Sequence, residues 1–189
     1  MQESKKIGVF LAEGFEEIEG LAVVDLLRRA GICVEMISIT GQKEVKGSHN
    51  ITVLADCLYE EGIGEGLDGI VLPGGMPGTR NLGNHAGVIG VVRAFAAAGK
   101  LVAAICAAPS VLGKAGILAG KQAACYPGFE EELEGANVGY EEVAEDGNII
   151  TSRGMGTAIP FALTLVSYLT TGQKAKELAD AVIFQNWKV

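Results

Sequence analysis

Short apolar runs alternate along the chain with longer segments whose apolar positions recur every three or four residues, the pattern of parallel β-α units. Lys6 to Ala12 reads as a first strand, and Glu17 to Ala30 as a helix with Ile18, Leu21, Ala22, Val24 and Leu27 on its apolar side, ended by Gly31. Cys33 to Ile39 predicts a second strand. Glu44 to Leu54 reads as two short extended pieces turning at Gly47-Ser48-His49-Asn50. Asp68 to Leu72 and Leu101 to Ile105 are core strands, with a helix over Ala86 to Ala98 between them and another reaching about Ala115. Gln122 to Cys125 predicts a short strand. Val138 to Ala144 and Asn148 to Ser152 are expected to pair around Asp146-Gly147, a strong hairpin turn. Thr157 to Thr170 is a long helix, followed by a last helical segment beyond Gln173.

Fully apolar strands separated by helices imply an α/β fold, a mostly parallel sheet covered on both faces. Ligand sites of such sheets lie at the carboxyl ends of the strands. Three segments meet there: the loop and helix start from Ala12 to Glu19, the Pro73-Gly74-Gly75 loop, and Cys106. No linker, internal repeat or low-complexity tract divides the chain, and its 189 residues predict one domain over 1–189.

Composition narrows the function. At 49% hydrophobic and 20% charged the chain reads as globular, and its longest apolar region, Val88 to Leu118, is broken by Arg93, Lys100 and Lys114. No membrane association is expected. The N-terminal Met-Gln-Glu-Ser-Lys-Lys lacks the apolar segment of a secretory signal, which predicts a cytoplasmic protein. A net charge of −8 leaves no surplus of cations for phosphate backbones, so small molecules or other proteins are the expected partners.

Cys33, Cys57, Cys106 and Cys125 show no CxxC spacing, and His49 and His85 fall in no short ligand motif; no metal is expected. Leu72 to Gly78 lacks the spacing of a dinucleotide turn, and Gly116 to Gln122 fails as a phosphate loop, so no nucleotide cofactor is expected either.

Cys106 carries the chemistry. It closes an apolar strand and opens Ala107-Ala108-Pro109-Ser110, the place where an α/β protein sets a nucleophile on a tight strand-to-helix elbow. A cysteine in an apolar run is more often a small core residue, but Pro109 at a helix start and small residues at 107 and 108 favour an exposed thiol. The helix N-terminus is expected to lower its pKa. The amides of Gly75 and Ala107 are expected to form an oxyanion hole, an ordinary strand-end turn being the alternative reading of Pro73-Gly74-Gly75 when Cys106 is left aside. Glu16, Glu17 and Glu19 open a helix, where acids complement the dipole. One of them that faces the sheet edge would be desolvated, raised in pKa and able to shuttle protons beside the thiol.

Four segments resemble a known family: Ala12 to Glu19 (AEGFEEIE), Asp68 to Gly75 (DGIVLPGG), Ala103 to Pro109 (AAICAAP) and Thr151 to Ala158 (TSRGMGTA). Together, in order over nearly the whole chain, they are similar to the ThiJ/PfpI superfamily in its deglycase (DJ-one) branch. The resemblance implies a flavodoxin-like three-layer sandwich, a homodimer, Cys106 as nucleophile, Glu19 as its hydrogen-bonded carboxyl partner, and Gly75 with Ala107 as anion-stabilising amides. It also implies cofactor-free chemistry on reactive dicarbonyls such as methylglyoxal or on their glycated adducts, and a thiol readily oxidised to sulfinate.

Gly74, His49 and Tyr126 are expected at the substrate site. Tyr126 stands where some members carry a histidine, and His49 where some carry an arginine, which bears on substrate range. Ala107 replaces the histidine that follows the nucleophile in protease members, and no downstream HxE of a glutamine amidotransferase is present. The expectation is therefore a glyoxalase or deglycase. Its rival is a redox-sensing stress protein or chaperone in which Cys106 is oxidised without turnover. An apolar face on the Glu17 to Ala30 helix fits either a dimer contact or the core.

Overall fold

A computed structural model describes residues 5–60 and 63–187. Its elements in chain order are β1 (Lys6–Leu11), α1 (Glu17–Arg29), β2 (Cys33–Ser38), the hairpin β3 (Glu44–Lys46) and β4 (Thr52–Leu54), β5 (Cys57–Leu58) and β6 (Gly69–Leu72). Then come α2 (Gly78–Asn84), α3 (Ala86–Ala97), β7 (Leu101–Ile105), α4 (Pro109–Ala115), β8 (Gln122–Ala123) and β9 (Asn137–Val138). The hairpin β10 (Val143–Asp146) and β11 (Ile149–Ser152) leads to α5 (Ala158–Leu169) and α6 (Gly172–Ala181).

The central sheet runs β10-β11-β7-β6-β1-β2-β5, parallel throughout except for β10. Side chains alternate across it as the strand period of two requires. Leu101, Ala103 and Ile105 of β7 enter one core with Val23 and Leu27 of α1, Phe161 of α5 and Leu178 of α6. Val102 and Ala104 enter the other with Leu82 of α2, Val88 and Val92 of α3 and Leu112 of α4. Both faces of the sheet are thus covered, which is why β6 and β7 are apolar at every position. The three layers are those expected from the alternating pattern.

Three departures have local causes. Helix α2 is absent from the periodic pattern because glycine and asparagine fill it; buried Leu82 and tertiary hydrogen bonds, Gly78 N–H to Gly14 O at 3.1 Å and Asn81 Nδ2 to Glu13 O at 2.9 Å, hold it. The expected strand over Val138 to Ala144 divides, since Asn137–Val138 pairs with β8 while only Val143–Asp146 pairs with β11. The strand expected over Gln122 to Cys125 stops at Ala123, because the Ala124 N–H turns to the Thr151 hydroxyl at 2.8 Å. The Asp146-Gly147 turn falls where expected.

The switch in strand order lies at β1 and β6: the chain leaves β1 for β2 on one side and later returns to its other side at β6. Beyond the carboxyl ends of β1, β6 and β7 stand the start of α1, the Pro73-Gly74-Gly75 loop and Cys106.

Candidate active site

Cys106 has φ of 66°, a left-handed conformation that few side-chain-bearing residues adopt. Backbone groups of neighbouring segments hold it there. Its N–H donates to Ser152 O at 3.0 Å, and its carbonyl accepts from Tyr126 N–H at 2.8 Å. The Ala108 N–H turns back to Ile105 O at 3.1 Å. The elbow throws the side chain off the sheet edge, half-buried, onto the α1 side. Ala107 and Gly75 direct their N–H groups at the sulfur. The Ser110 hydroxyl, donating to Ala107 O at 2.7 Å, steadies the next peptide of the elbow.

Glu19 reaches the sulfur from the first turn of α1. Its carboxyl is 1% exposed, shares a hydrogen bond with Cys106, and accepts the Gly74 N–H at 3.0 Å. Glycine is required at both loop positions. A Cβ on Gly74 would stand 2.6 Å from both Cys106 Cβ and Glu19 Oε2, and one on Gly75, where φ is 89°, 2.3 Å from Glu16 N. The Pro73-Gly74-Gly75 turn therefore brings two backbone N–H groups against two reactive side chains.

Burial, opposed in part by hydrogen bonds from Cys106 and Gly74 and reinforced by the charge of Glu16, raises Glu19 from 4.5 to about 7. Burial, the charge of Glu19 and its hydrogen bond raise the Cys106 thiol to about 12 against the opposing pull of the Ala107 and Gly75 amides. The lowered thiol expected from a helix start is thus corrected. Helix α4 begins only at Pro109, three residues on, and desolvation with an acidic neighbour outweighs the amides. Both shifts favour the protonated forms, so the sulfur holds its proton at neutral pH and the ionised Glu19 carboxylate is the base beside it.

The three acids of the α1 start do three different things. Glu16 is the N-cap, its carboxylate accepting the Glu19 N–H at 2.7 Å and so fixing the backbone that carries Glu19. Glu17 is buried and ties down the β3-β4 hairpin through His49 N–H at 2.8 Å and His49 Nδ1 at 3.0 Å. Burial opposes its ionisation, but hydrogen bonds from the His49 side chain and from backbone N–H groups including those of His49 and Ile51 outweigh it and hold the carboxyl at about 2.

His49 is consequently bound to Glu17 rather than to Cys106, with its ring largely exposed. Tyr126 meets the elbow through its backbone, while its half-exposed ring lies over Gly154. Among the described residues Glu16, Glu17 and His49 bring donor atoms within 4.8 Å of one another, as a metal site needs, but both Glu17 oxygens already accept hydrogen bonds from the hairpin. Ser110 and Ser152 escaped the sequence reading. Their partners are peptide groups of the elbow, and no spacing marks such a contact.

A parallel α/β sheet with a strained cysteine elbow, backed by a buried acid from the turn after β1, defines a class of cysteine-centred sandwich proteins. The chain belongs to the DJ-1/PfpI family, whose profile matches residues 5–168. It is 39% identical over 183 residues to the protein dj-1beta of Drosophila melanogaster, covering 95% of this chain and 97% of that one. A protein of Pyrococcus abyssi named a deglycase is 32% identical over 153 residues, 80% of this chain and 91% of that one. The structure of oxidized DJ-1 from Toxoplasma gondii superposes with a TM-score of 0.92 at 36% identity, covering 96% of this chain and all of that one.

Proposed function

We propose that the protein is a cofactor-independent cysteine enzyme that converts small dicarbonyls such as methylglyoxal, or the adducts they form, to hydroxy acids. The observation that carries this reading is the buried Glu19 carboxyl hydrogen-bonded to a half-exposed Cys106 sulfur. The relative named a deglycase supports it.

Glu19 takes the thiol proton as the sulfur attacks the aldehyde carbon and passes it to the carbonyl oxygen, giving a hemithioacetal and regenerating the carboxylate. As negative charge develops on that oxygen, the Gly75 and Ala107 N–H groups stabilise it, each such donor being worth about 2.7–4 kcal/mol. Glu19 then removes the proton from the carbon bonded to sulfur and returns it to the adjacent carbon, while the hydroxyl proton passes to the neighbouring carbonyl oxygen, leaving a thioester of the hydroxy acid. Water cleaves the thioester and restores the thiol. A carboxyl near pH 7 suits both directions of transfer.

Kinetics of lactate formation from methylglyoxal test the scheme. Cys106→Ser abolishes it, and Glu19→Gln slows it by about 10²–10⁴-fold. Unchanged turnover in either variant defeats the mechanism.

A second reading rests on the same cradle. Two N–H groups and a carboxylic acid also suit the oxygens of an oxidised sulfur: one peroxide gives sulfenic acid and water, a second gives sulfinic acid and water. Mass spectrometry of peroxide-treated protein, set beside dicarbonyl turnover on one preparation, separates a sensor from an enzyme. Two copies are also proposed to associate through α1 and the β3-β4 hairpin, where Ile18, Ile51 and Leu54 are more than half exposed. Sedimentation checks this.

A further inference from the structure

We propose that a cleft behind the anion cradle binds the carboxylate of a small organic acid. The cleft lies between α2 and α4 and has a volume of about 220 Å³. Arg80 and Lys114 line it with a single carboxylate, Glu132, so the wall carries a net charge of +1. Among the described residues neither cation forms an ion pair; the Lys114 ammonium donates to Asn84 Oδ1 at 3.2 Å. The remaining wall mixes the apolar side chains of Met76, Val111 and Phe129 with the polar ones of Thr79, Asn84 and Ser110.

Thr79 supplies the independent sign of a missing ligand. It lines the cleft, is only 4% exposed, and its hydroxyl has no hydrogen-bond partner. A buried hydroxyl without a partner is costly and uncommon. Threonine in a helix has two accessible rotamers, so this hydroxyl can turn to an oxygen held between the cations. A monoanion with a short carbon skeleton matches both the net charge and the apolar stretch formed by Met76, Val111 and Phe129; a phosphate dianion leaves charge unmatched.

The floor of the cleft meets the reactive loop from behind. The Thr79 N–H donates to Gly75 O at 2.9 Å, and the Ser110 hydroxyl to Ala107 O at 2.7 Å. These are the two residues whose N–H groups face the sulfur. An occupant bonded to Thr79 therefore bears on Gly75, one of the two residues that supply the cradle.

Titration of isotopically labelled protein with sodium lactate, and separately with inorganic phosphate at constant ionic strength, tests the site through the amide signals of Thr79, Ser110, Gly75 and Ala107. Saturable shifts in the millimolar range with lactate, and weaker ones with phosphate, are expected. Arg80→Ala and Lys114→Ala each weaken lactate binding by about tenfold, the equivalent of one charge-assisted hydrogen bond. Thr79→Val weakens it without lowering Tm, whereas Cys106→Ser leaves it intact. Absence of saturation, shifts that survive removal of both cations, or phosphate binding as tight as lactate overturns the proposal. Binding is read without turnover, so failure of the reaction scheme leaves this result standing.

Discussion

Glu19 and Gly74 share one oxygen in two senses: Oε2 accepts the Gly74 N–H at 3.0 Å and lies 2.6 Å from the point where a side chain on Gly74 would begin. The loop that orients the acid also has to leave it room. Gly74→Ala drives a methyl group between sulfur and carboxyl. The expected result is a fall in dicarbonyl turnover of at least about 100-fold, with a stability loss of about 1–3 kcal/mol from overpacking, read by kinetics and urea denaturation.

Glu19 affects the thiol in two opposed ways, and a single variant separates them. Its charge and hydrogen bond raise Cys106, so Glu19→Gln increases the thiolate fraction and speeds alkylation by iodoacetamide at pH 8. The same variant slows dicarbonyl turnover, which needs a base. In the parent protein turnover climbs with pH through about 7 as Glu19 ionises, and this inflection disappears in the variant. Alkylation that slows in the variant contradicts the assignment.

Stability carries the same titration. Glu19 has a folded value of about 7 against 4.5, so its favourable contribution is complete below pH 4.5 and is lost as pH rises through 7. Glu19→Gln is therefore expected to raise Tm at pH 8 relative to the parent, with little difference at pH 4. An equal effect at both values rules out burial of the charge as the cause.

Glu17 has the opposite sign. Its value of about 2 lies below 4.5, so its contribution is present above pH 4.5 and fades as pH falls toward 2. Glu17→Gln shifts the urea midpoint downward at pH 7 and by progressively less as pH falls from 4.5 toward 2. Amide exchange in the β3-β4 hairpin, which Glu17 anchors through His49, rises in the same variant.

Ser110 acts through Ala107. Ser110→Ala removes the 2.7 Å hydrogen bond to the Ala107 carbonyl, costs about 0.5–1.5 kcal/mol, and lowers kcat more than it raises KM. Ser110→Thr restores both.

The elbow is legible along the chain because an apolar strand, a cysteine, small residues and a proline follow one another without interruption from Leu101 to Pro109. Periodicity likewise places β1, α1 and β7 to within a residue or two. Which of three neighbouring acids meets the sulfur is not a local property. Glu16 is diverted to capping and Glu17 to the hairpin, and only Glu19 reaches the loop that follows β6. Thiol acidity is not local either, since the desolvation and the carboxyl that raise it arrive from distant segments. Helix α2 is hidden for a related reason. Its glycines and asparagines oppose helix formation and are outweighed by contacts with the turn after β1: a Cβ on Gly78 would stand 2.6 Å from Phe15 N.

The two borders of the central sheet have a consequence for solubility at high concentration. One ends on the two-residue β5 and the other on β10, a four-residue strand bearing Glu145 and Asp146. Asp146 is engaged by the Lys121 ammonium and the Gln122 N–H, at 2.9 Å each. A two-residue margin on one side and a short, charged one on the other give an incoming strand little backbone to pair with, which disfavours edge-to-edge growth of the sheet.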